Sequence, residues 1–370
     1  MKKIVFFLAS LSQPRCIKRV KALHEAGFEV EVYGYYRGFY DINSFPEDIE
    51  VHQWGEVKSG TGYVKRLLKN RANINEVVRN KAGEDVLYYA FGLDLALWLS
   101  MHKHIHFVYE SSDLIYTYLG SKILIDIFKY IDKKIIAHSF KTIFTSEGFQ
   151  RYLYGVRKVD NIIIQPNRVS PFFNNVGRQV LSLKEPEGIV FSYVGAFRYP
   201  NTIFRFARII GEKYPQHKFY FYGDSLLTYM AKELAAKYPN VHYFGKFRSP
   251  EDLEKIYNAI DVVVACYDAS GINEQIAEPN KLYEAICFCK PIVVSEGTFL
   301  SEQVKRMKVG YSIKADNDDS ICDFLNHLNY ADLECKSNIE KQMQRSEYID
   351  SIENIKLAIK TYFDYKHVCI

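Results

Sequence analysis

Short apolar runs alternate with amphipathic, helix-like stretches along the whole chain. The pattern opens with KKIVFFLA, continues with a helical stretch that begins at Pro14 and ends at Gly27, and returns to an apolar run in FEVEVYGY. Proline near the start of a helix and glycine at its end are the expected boundary signals. Repeated units of one buried strand and one covering helix are typical of parallel sheets with helices on both faces.

The predicted strands fall into two series. The first series lies at 2–9, 28–35, 85–91, 106–111, 141–146 and 161–165, and the second at 188–195, 218–223, 241–245, 261–266, 291–296 and 309–313. Between them, residues 166–188 contain Pro166, Pro171 and Pro186 and show little periodicity. Such a stretch is typical of a linker between domains.

This α/β pattern predicts two Rossmann-like, doubly wound parallel-sheet domains. We expect an N-terminal domain at 1–170 and a C-terminal domain at 171–345, with a final helix at 346–370 that packs back on the first domain. A chain of 370 residues is also long for a single core. Ligands bind at the carboxyl ends of the strands in such folds, so we expect the ligand site in a cleft between the two domains.

The charge is unevenly distributed. The net charge is +4, but residues 1–170 hold 24 Lys and Arg against 18 Asp and Glu, whereas residues 171–370 hold 24 against 26. A basic first half favours an anionic surface or substrate on that side. Because the excess is small and no recognition motif accompanies it, the sequence argues against a nucleic-acid-binding module.

Cofactor and targeting signals are weak throughout. The seven cysteines show no convincing metal spacing and indicate reduced thiols, and no Walker loop or zinc pattern occurs. No apolar run approaches the roughly 20 residues of a membrane-spanning helix. We therefore expect no cofactor and no metal, and a cytoplasmic location that is at most peripheral on the inner face of the cell membrane.

The segment AEPNKLYEAICFCKPIVVSE at 277–296 carries the clearest chemistry. Pro279 fits the first turn of a helix, where its missing N–H costs nothing. The free N–H groups of that turn and the ammonium of Lys281 attract an anion such as a diphosphate. Glu284 follows one turn later and suits the vicinal diol of a ribose. The alternative is a solvated ion pair between Lys281 and Glu284, which would contribute little.

This segment resembles the nucleotide-sugar motif of glycosyltransferases with the GT-B fold, especially the family 4-like (group 1) enzymes of bacterial surface-polysaccharide synthesis. The resemblance implies that Glu284 holds the donor ribose and that Lys281 lies by the donor phosphates. Cys289 stands in place of the usual glycine. A second glutamate of the family corresponds to Ile276, and either Glu278 or Glu274 is expected to replace it.

Two further segments resemble donor-domain blocks of the same family. FSYVGAFRYPNTIFRFARI at 191–209 has Ala196 and Asn201 where the family places an arginine and a lysine on the diphosphate. Arg198 is the expected replacement, with a plain surface arginine as the alternative. The loop in NVHYFGKFRSPEDLEKIYNAIDVVVACYD at 240–268 is expected to line the nucleobase. The donor-binding residues implied by the resemblance are Gly195, Arg198, Phe247, Glu278, Asn280, Lys281 and Glu284.

On the acceptor side, PRCIKRVKALHEAGFEVEVYGY at 14–35 and FVYESSDLIY at 107–116 are similar to segments of the family's first domain. Arg15 is the candidate contact for an acceptor phosphate, with an exposed arginine as the alternative. Asp113 is the candidate general base, because an inverting transfer requires removal of the proton from the attacking hydroxyl. The alternative for Asp113 is a helix N-cap, and Glu110 is the reserve candidate for the base.

The stretch SGTGYVKRLLKNRANINEVVRNK at 59–81 predicts a basic amphipathic helix. Such a helix can lie on an anionic membrane surface, which a lipid-linked acceptor would require. The alternative is a solvated helix that packs on its own sheet.

These observations predict a glycosyltransferase of the hexosyltransferase type. We expect it to move a sugar from a nucleotide diphosphate sugar to a glycan or lipid-linked glycan in polysaccharide biosynthesis. The expected donor is a UDP-sugar. Two alternatives stay open at this point: a nucleotide-sugar epimerase of the same fold, and a catalytically degenerate GT-B protein that binds a nucleotide without turnover.

Overall fold

The computed structural model describes residues 2–36, 45–56, 63–183 and 188–368. Contacts divide the chain into two compact units. The first unit comprises Met1–Gln165 together with Ile352–Ile370, and the second comprises Pro166–Ser351. The chain therefore leaves the first unit once and returns to it with its last helix.

A parallel sheet forms the centre of the first unit. Its seven described strands are β1 Lys3–Leu8, β2 Glu29–Tyr36, β3 Glu50–Glu56, β4 Val86–Phe91, β5 Phe107–Ser111, β6 Lys141–Phe144 and β7 Ile162–Ile164. Their order across the sheet is β3-β2-β1-β4-β5-β6-β7, and every pairing is parallel. The order reverses direction between β1 and β4, which is the mark of a doubly wound sheet.

Helices connect these strands. They are α1 Pro14–Glu25, α2 Tyr63–Asn80, α3 Leu93–Ser100, α4 Lys122–His138 and α5 Glu147–Tyr154, with a short 3-10 turn at Ile115–Tyr118. The helix predicted at 59–81 corresponds to α2, and residues 59–62 of that prediction lie outside the described residues.

The second unit repeats the design with six described strands. They are β8 Val190–Val194, β9 Lys218–Tyr222, β10 Val241–Gly245, β11 Val262–Ala265, β12 Ile292–Ser295 and β13 Gly310–Ile313. The order is β10-β9-β8-β11-β12-β13, again all parallel, and it reverses between β8 and β11. The predicted fold class, two doubly wound parallel sheets with helices, is confirmed.

The helices of the second unit cover both faces of its sheet. They are α6 Arg205–Lys213, α7 Thr228–Lys237, α8 Leu253–Asn258, α9 Ile272–Ile276, α10 Asn280–Phe288, α11 Phe299–Met307, α12 Asp318–Asn326, α13 Tyr330–Gln342 and α14 Arg345–Tyr348. On β11, Val262 and Val264 point into one apolar core while Val263 and Ala265 point into the other. A strand buried on both faces must be apolar at every position, which explains its continuous apolar run.

The chain ends in α15, Glu353–Val368, which packs into the first unit. Ile355, Ile359 and Phe363 are buried in the same apolar cluster as residues of β1, β2 and α1. The ring of Phe363 lies 6.4 Å from that of Phe28. The first unit thus requires a segment that follows the second unit in the sequence.

Strand β3 is absent from the prediction. Its sequence EVHQWGE has no fully buried position, and it pairs only with β2 at the edge of the sheet. Because an edge strand need not bury both faces, it lacks the apolar run by which the other strands were found.

Arg178 ties together the ends of two helices in the second unit. Its guanidinium has five N–H donors, and the structure gives it five backbone carbonyl acceptors at the carboxyl ends of α10 and α13: Ile286, Cys287, Glu340, Lys341 and Met343. The guanidinium also lies 4.5 Å from the ring centroid of Tyr348. A cation at a helix carboxyl end is favoured by the helix dipole, and here one cation serves two helices.

Replacement of Arg178 by Met should therefore destabilise the second unit. We expect the free energy of unfolding to fall by about 3 kcal/mol, because several partly buried carbonyls lose a charged donor at once. The measurement is urea unfolding followed by far-UV circular dichroism. Both tryptophans, Trp54 and Trp98, lie in the first unit, so tryptophan fluorescence reports that unit separately.

The matched control is Arg248→Met, which removes an exposed arginine whose side chain pairs with Asp252, four residues later in the sequence. This control should leave the transition nearly unchanged. An Arg178→Met protein with the circular dichroism transition of the wild type would show that the five hydrogen bonds do not stabilise the unit.

Candidate functional site

The reversal of strand order in the second unit creates a crevice at the carboxyl ends of β8 and β11, where ligands of such sheets bind. Two glycines follow β8 and β9 with positive φ, Gly195 and Gly223, both at +135°. A Cβ on Gly223 would lie 2.0 Å from the carbonyl oxygen of Gly195, and a Cβ on Gly195 would lie 2.7 Å from Nζ of Lys281. Glycine is therefore required at both positions, and it lets the lysine reach the end of β8.

Lys281 brings a positive charge into this crevice. Its side chain is only 7% exposed, and Nζ lies 5.3 Å from the ring centroid of Tyr193 on β8. Within the described part of the chain, Lys281 has no hydrogen-bond or ion-pair partner. Burial lowers the pKa of Lys281, the carboxylate of Glu284 opposes this change, and the charge of Arg198 adds to it. A buried ammonium without a paired carboxylate is a place where an anionic ligand is stabilised.

Glu284 lies one turn along α10 and is 6% exposed. Its Oε2 accepts a hydrogen bond of 2.6 Å from the hydroxyl of Tyr257 on α8, and its Oε1 accepts one of 2.6 Å from Nδ2 of Asn280. A carboxylate offers about four lone-pair positions, so two acceptor positions are left for a ligand. Neighbours on two elements thus fix the orientation of the carboxylate.

The solvated ion pair considered for Lys281 and Glu284 is wrong. Both side chains are buried, and the described residues contain no salt bridge between them. The position of Pro279 also differs from the prediction: it is the N-cap of α10, with φ −77° and ψ 155°, and the helix begins at Asn280. The helix ends at Cys289, which has a left-handed backbone at φ 54° and ψ 48°, as suits the place where the family has glycine.

Two glutamates were expected to replace the missing family glutamate at Ile276. Glu278 is buried and accepts a hydrogen bond from the hydroxyl of Tyr283. Glu274 is half-buried in α9, and its carboxylate lies against Gly271, where a Cβ would be 2.2 Å from Oε2. The structure does not single out either of these two glutamates.

The remaining predicted donor residues lie on loops. Arg198 is exposed on the loop after β8 and is close enough to Lys281 to influence its pKa. Phe247, on the loop after β10, is half-buried against the core that contains α10. The structure thus brings Gly195, Arg198, Lys281 and Glu284 into one electrostatic neighbourhood, while Phe247 lies on a separate loop.

In the first unit, Glu110 on β5 is the centre of a buried ion cluster. Arg15 donates to its Oε1 from Nε at 3.1 Å and from Nη2 at 2.7 Å, and Arg19 donates to its Oε2 from Nε at 3.1 Å. The hydroxyl of Tyr89 on β4 also donates to it. Nη1 of Arg15 is buried and has no hydrogen-bond partner among the described residues. Arg15 therefore belongs to a built cluster rather than to the open surface.

The charge state of Glu110 follows from these contacts. Burial alone would raise its pKa, but the charges of Arg19 and Arg15 and the hydrogen bonds of Arg19 and Tyr89 lower the pKa to about 2. Such a carboxylate is a poor proton acceptor, because a general base works best with a pKa near the working pH. The geometry makes Glu110 the anchor of the two arginines and argues against its reserve role as the base.

Asp113 lies two residues beyond β5 and is exposed. The hydroxyl of Ser112 lies 3.5 Å from its Oδ2, and the hydroxyl of Ser111 donates to its backbone carbonyl. The residue before the 3-10 turn at Ile115–Tyr118 is Leu114, so Asp113 is not its N-cap. Asp113 stays the candidate base.

The described residues contain one group of three side chains close enough to share a metal: Glu31, Glu50 and His52, whose ligand atoms lie within 4.8 Å of one another. Glu31 is already paired with Lys3 at 2.8 Å and Lys81 at 2.6 Å. Burial would raise the pKa of Glu31, but the hydrogen bonds from Lys3, Lys81 and Tyr33 lower it to about 2. This arrangement is a charge network of the sheet edge. In the described part of the chain, no helix has the length and apolar character needed to cross a bilayer.

Comparisons with known proteins give a family match in the second unit and solved structures of the same fold. Residues 178–343 match the family described as glycosyl transferases group 1. A search of curated proteins gave no significant match. Among solved structures, sucrose-phosphate synthase from Thermosynechococcus elongatus is 14% identical, with a TM-score of 0.73 over 100% of both chains.

Two further structures share the whole architecture. Anabaena HepE in complex with UDP and glucose is 14% identical, with a TM-score of 0.68 over 100% of both chains. The lipopolysaccharide outer core galactosyltransferase WaaB is 15% identical, with a TM-score of 0.62 over 100% of both chains. At this identity the likeness shows the fold, which is the GT-B fold of two Rossmann-like domains.

Glu110→Gln should destabilise the first unit in a pH-dependent way. The pKa of Glu110 is about 2 in the folded protein and near 4.5 in the unfolded chain, so the ionised carboxylate stabilises the folded state above pH 5 and this contribution is lost as the pH falls towards 2. We expect the variant to lose about 3 kcal/mol at neutral pH and the difference from wild type to shrink below pH 5. The measurement is urea unfolding followed by tryptophan fluorescence.

Glu147→Gln serves as the control, because Glu147 forms an exposed pair with Arg151 on α5. A constant difference between wild type and Glu110→Gln from pH 7 to pH 3 would contradict the assigned charge state.

Proposed function

We propose that this chain, whose residues 178–343 match the family described as glycosyl transferases group 1, moves a sugar from a nucleotide diphosphate sugar to a glycan or lipid-linked glycan. We propose a UDP-hexose as the donor and polysaccharide biosynthesis as the process. Structures of the similar HepE contain UDP, UDP with glucose, and UDP-glucose, which supports uridine as the base.

The observation that carries this proposal is the buried ammonium of Lys281 at the amino end of α10. It has no anionic partner among the described residues, and the first N–H groups of α10 add positive potential at the same place. A diphosphate supplies the negative charge that this arrangement lacks. Arg198 contributes a second cation from the loop after β8. We propose that these groups carry the diphosphate charge without a metal ion.

Glu284 is proposed as the ribose contact. Tyr257 and Asn280 each occupy one of its oxygens, so the carboxylate is held in place before a ligand arrives. The two remaining acceptor positions match the two hydroxyls of a ribose. A site that is preorganised in this way spends less binding free energy on ordering its own side chains. We propose Gly195, Phe247, Glu278 and Asn280 as the further donor contacts, with Phe247 at the nucleobase.

Acceptor binding and proton removal are proposed for the first unit. Asp113 is exposed and so can meet an acceptor hydroxyl, whereas Glu110 is buried and held by two arginines. As the general base, Asp113 would take the proton from the acceptor hydroxyl. The oxygen of that hydroxyl then bonds to the anomeric carbon of the donor sugar, and the nucleotide diphosphate leaves. Arg15, whose Nη1 lacks a partner among the described residues, is proposed to contact an acceptor phosphate. A lipid-linked acceptor implies a peripheral position on the inner face of the cell membrane.

Lys281→Met should abolish the stabilisation of the protein by UDP. Wild type should gain about 2.7 kcal/mol when UDP is present at 100 times its dissociation constant, and a neutral side chain removes the charge that binds the diphosphate. The measurement is thermal unfolding with and without UDP. The matched control is Lys290→Met, since Lys290 is equally buried but lies beyond the other end of α10.

The control should lose stability and keep its response to UDP. If both variants respond to UDP as the wild type does, the diphosphate does not bind at the amino end of α10, and the proposed donor site is wrong.

Asp113→Asn should reduce turnover by about a hundredfold or more while the affinity for UDP stays unchanged, because general base catalysis acts on the transition state rather than on donor binding. The measurement is steady-state sugar transfer with a UDP-sugar and a glycan acceptor. Asp160→Asn removes another exposed carboxylate of the same unit and should be neutral. If turnover in Asp113→Asn is unchanged, Asp113 is not the general base. The donor phosphate would then remove the proton, as in retaining transfer.

A further inference from the structure

The longest exposed apolar surface on one helix of the described chain lies on α4. Four apolar side chains there are largely in solvent: Ile123 is 73% exposed, Leu124 45%, Ile127 49% and Tyr130 62%. They follow one another at helical spacing, so they form a single stripe, which we call the α4 face. The other side of α4 is buried through Ile135 and Ile136. The helix is therefore anchored in the fold while a second apolar side is left open.

The turn before α4 extends this surface. In the 3-10 turn at Ile115–Tyr118 and just after it, Ile115, Tyr118 and Leu119 are also exposed. The turn is fixed to α4 by Tyr116, whose hydroxyl donates to Asp132 at 3.0 Å and whose ring stacks on Phe128. A contiguous exposed apolar patch of this kind marks an interaction surface.

The charges beside the α4 face are mainly positive. The helix carries the lysines Lys122, Lys129, Lys133 and Lys134. Lys129, Lys133 and Lys134 lie over the rings of Tyr152, Tyr154 and Tyr130. Within the described ranges, none of the four lysines forms a salt bridge. The acids on α4 are Asp126 and the buried Asp132, so the helix presents a net positive charge next to its aliphatic stripe.

We propose that the α4 face docks the protein on an anionic lipid bilayer. Aliphatic side chains enter the boundary of the acyl chains, the tyrosine lies at the polar interface, and the lysines meet the lipid phosphates. A second copy of the chain fits less well, because a two-fold contact through this face would oppose lysines with lysines. The biological purpose of this docking rests on the proposed function, although docking itself does not require turnover.

The structure also argues against α2 as the docking helix, although its sequence predicted this role. Leu68 is exposed there, but two of the neighbouring cations have partners within the fold. Lys69 donates to the carbonyl of Trp54, and Arg66 lies 3.8 Å from Asp94. A basic helix whose cations are already paired has less to offer to lipid phosphates.

The test is sedimentation of the full chain with vesicles of phosphatidylcholine, alone or mixed with phosphatidylglycerol. Wild type should bind the mixed vesicles, and added salt should weaken the binding. Ile123→Gln with Ile127→Gln, and separately Lys122→Gln with Lys134→Gln, should each lower the partition coefficient by about tenfold or more. Two matched pairs should bind as the wild type does: Leu357→Gln with Lys360→Gln on α15, and Leu68→Gln with Lys69→Gln on α2.

Unchanged thermal unfolding of each variant shows that it is folded, and thermal unfolding with UDP reports donor binding separately. If the protein binds vesicles but is not stabilised by UDP, the proposed docking surface stands and the proposed donor is wrong. The inference is overturned if wild type does not bind the mixed vesicles or if the α4 variants bind them as tightly as wild type. It is equally overturned if wild type self-associates and the isoleucine variants abolish that association, since a second copy would then be the occupant.

Discussion

A buried ammonium that forms no salt bridge with any described residue is the constraint around which the second unit is organised. Removing a charge from water is unfavourable unless a partner replaces the lost hydration. Lys281 is held in this condition by two glycines, since side chains at Gly195 or Gly223 would fill the space that the lysine and the backbone occupy. The fold thus keeps an energetically unfavourable group at the crevice between β8 and β11, and we propose that an anionic ligand removes this disadvantage.

The helix that carries this lysine is fixed along its length. Near its start, Glu284 is held by Asn280 and by Tyr257 of a neighbouring helix. At its far end, Arg178 binds the last carbonyls. Rigid support of this kind keeps charged groups at fixed distances from a ligand, which is the condition for electrostatic stabilisation of a leaving diphosphate. The corresponding support in the first unit is the Glu110 cluster, which fixes the side chain of Arg15 at the amino end of α1.

Much of the fold could be predicted, because strands buried on both faces must be apolar throughout. The exception, β3, is an edge strand with no such requirement. For the candidate site, the spacing of Lys281 and Glu284 and the family resemblance pointed to α10, and binding of the donor there stays a prediction. Tyr257, Arg178 and Arg19 were missed, since each acts across a distance in sequence that no local pattern encodes. The α4 face was missed for the opposite reason: its sequence looks like any apolar helix, and only the fold shows which side stays uncovered.

The return of α15 to the first unit affects how the chain acquires its structure. Residues 166–351 form one uninterrupted segment, whereas the first unit joins 1–165 to residues 352–370, which are synthesised after the second unit. Ile359 and Phe363 complete an apolar cluster that also contains residues of β1 and α1. During synthesis the amino-terminal domain usually folds first. Here the first unit can complete its fold only after the second unit has been synthesised. Residues of β1 and α1 are thus synthesised well before the segment that completes their apolar core.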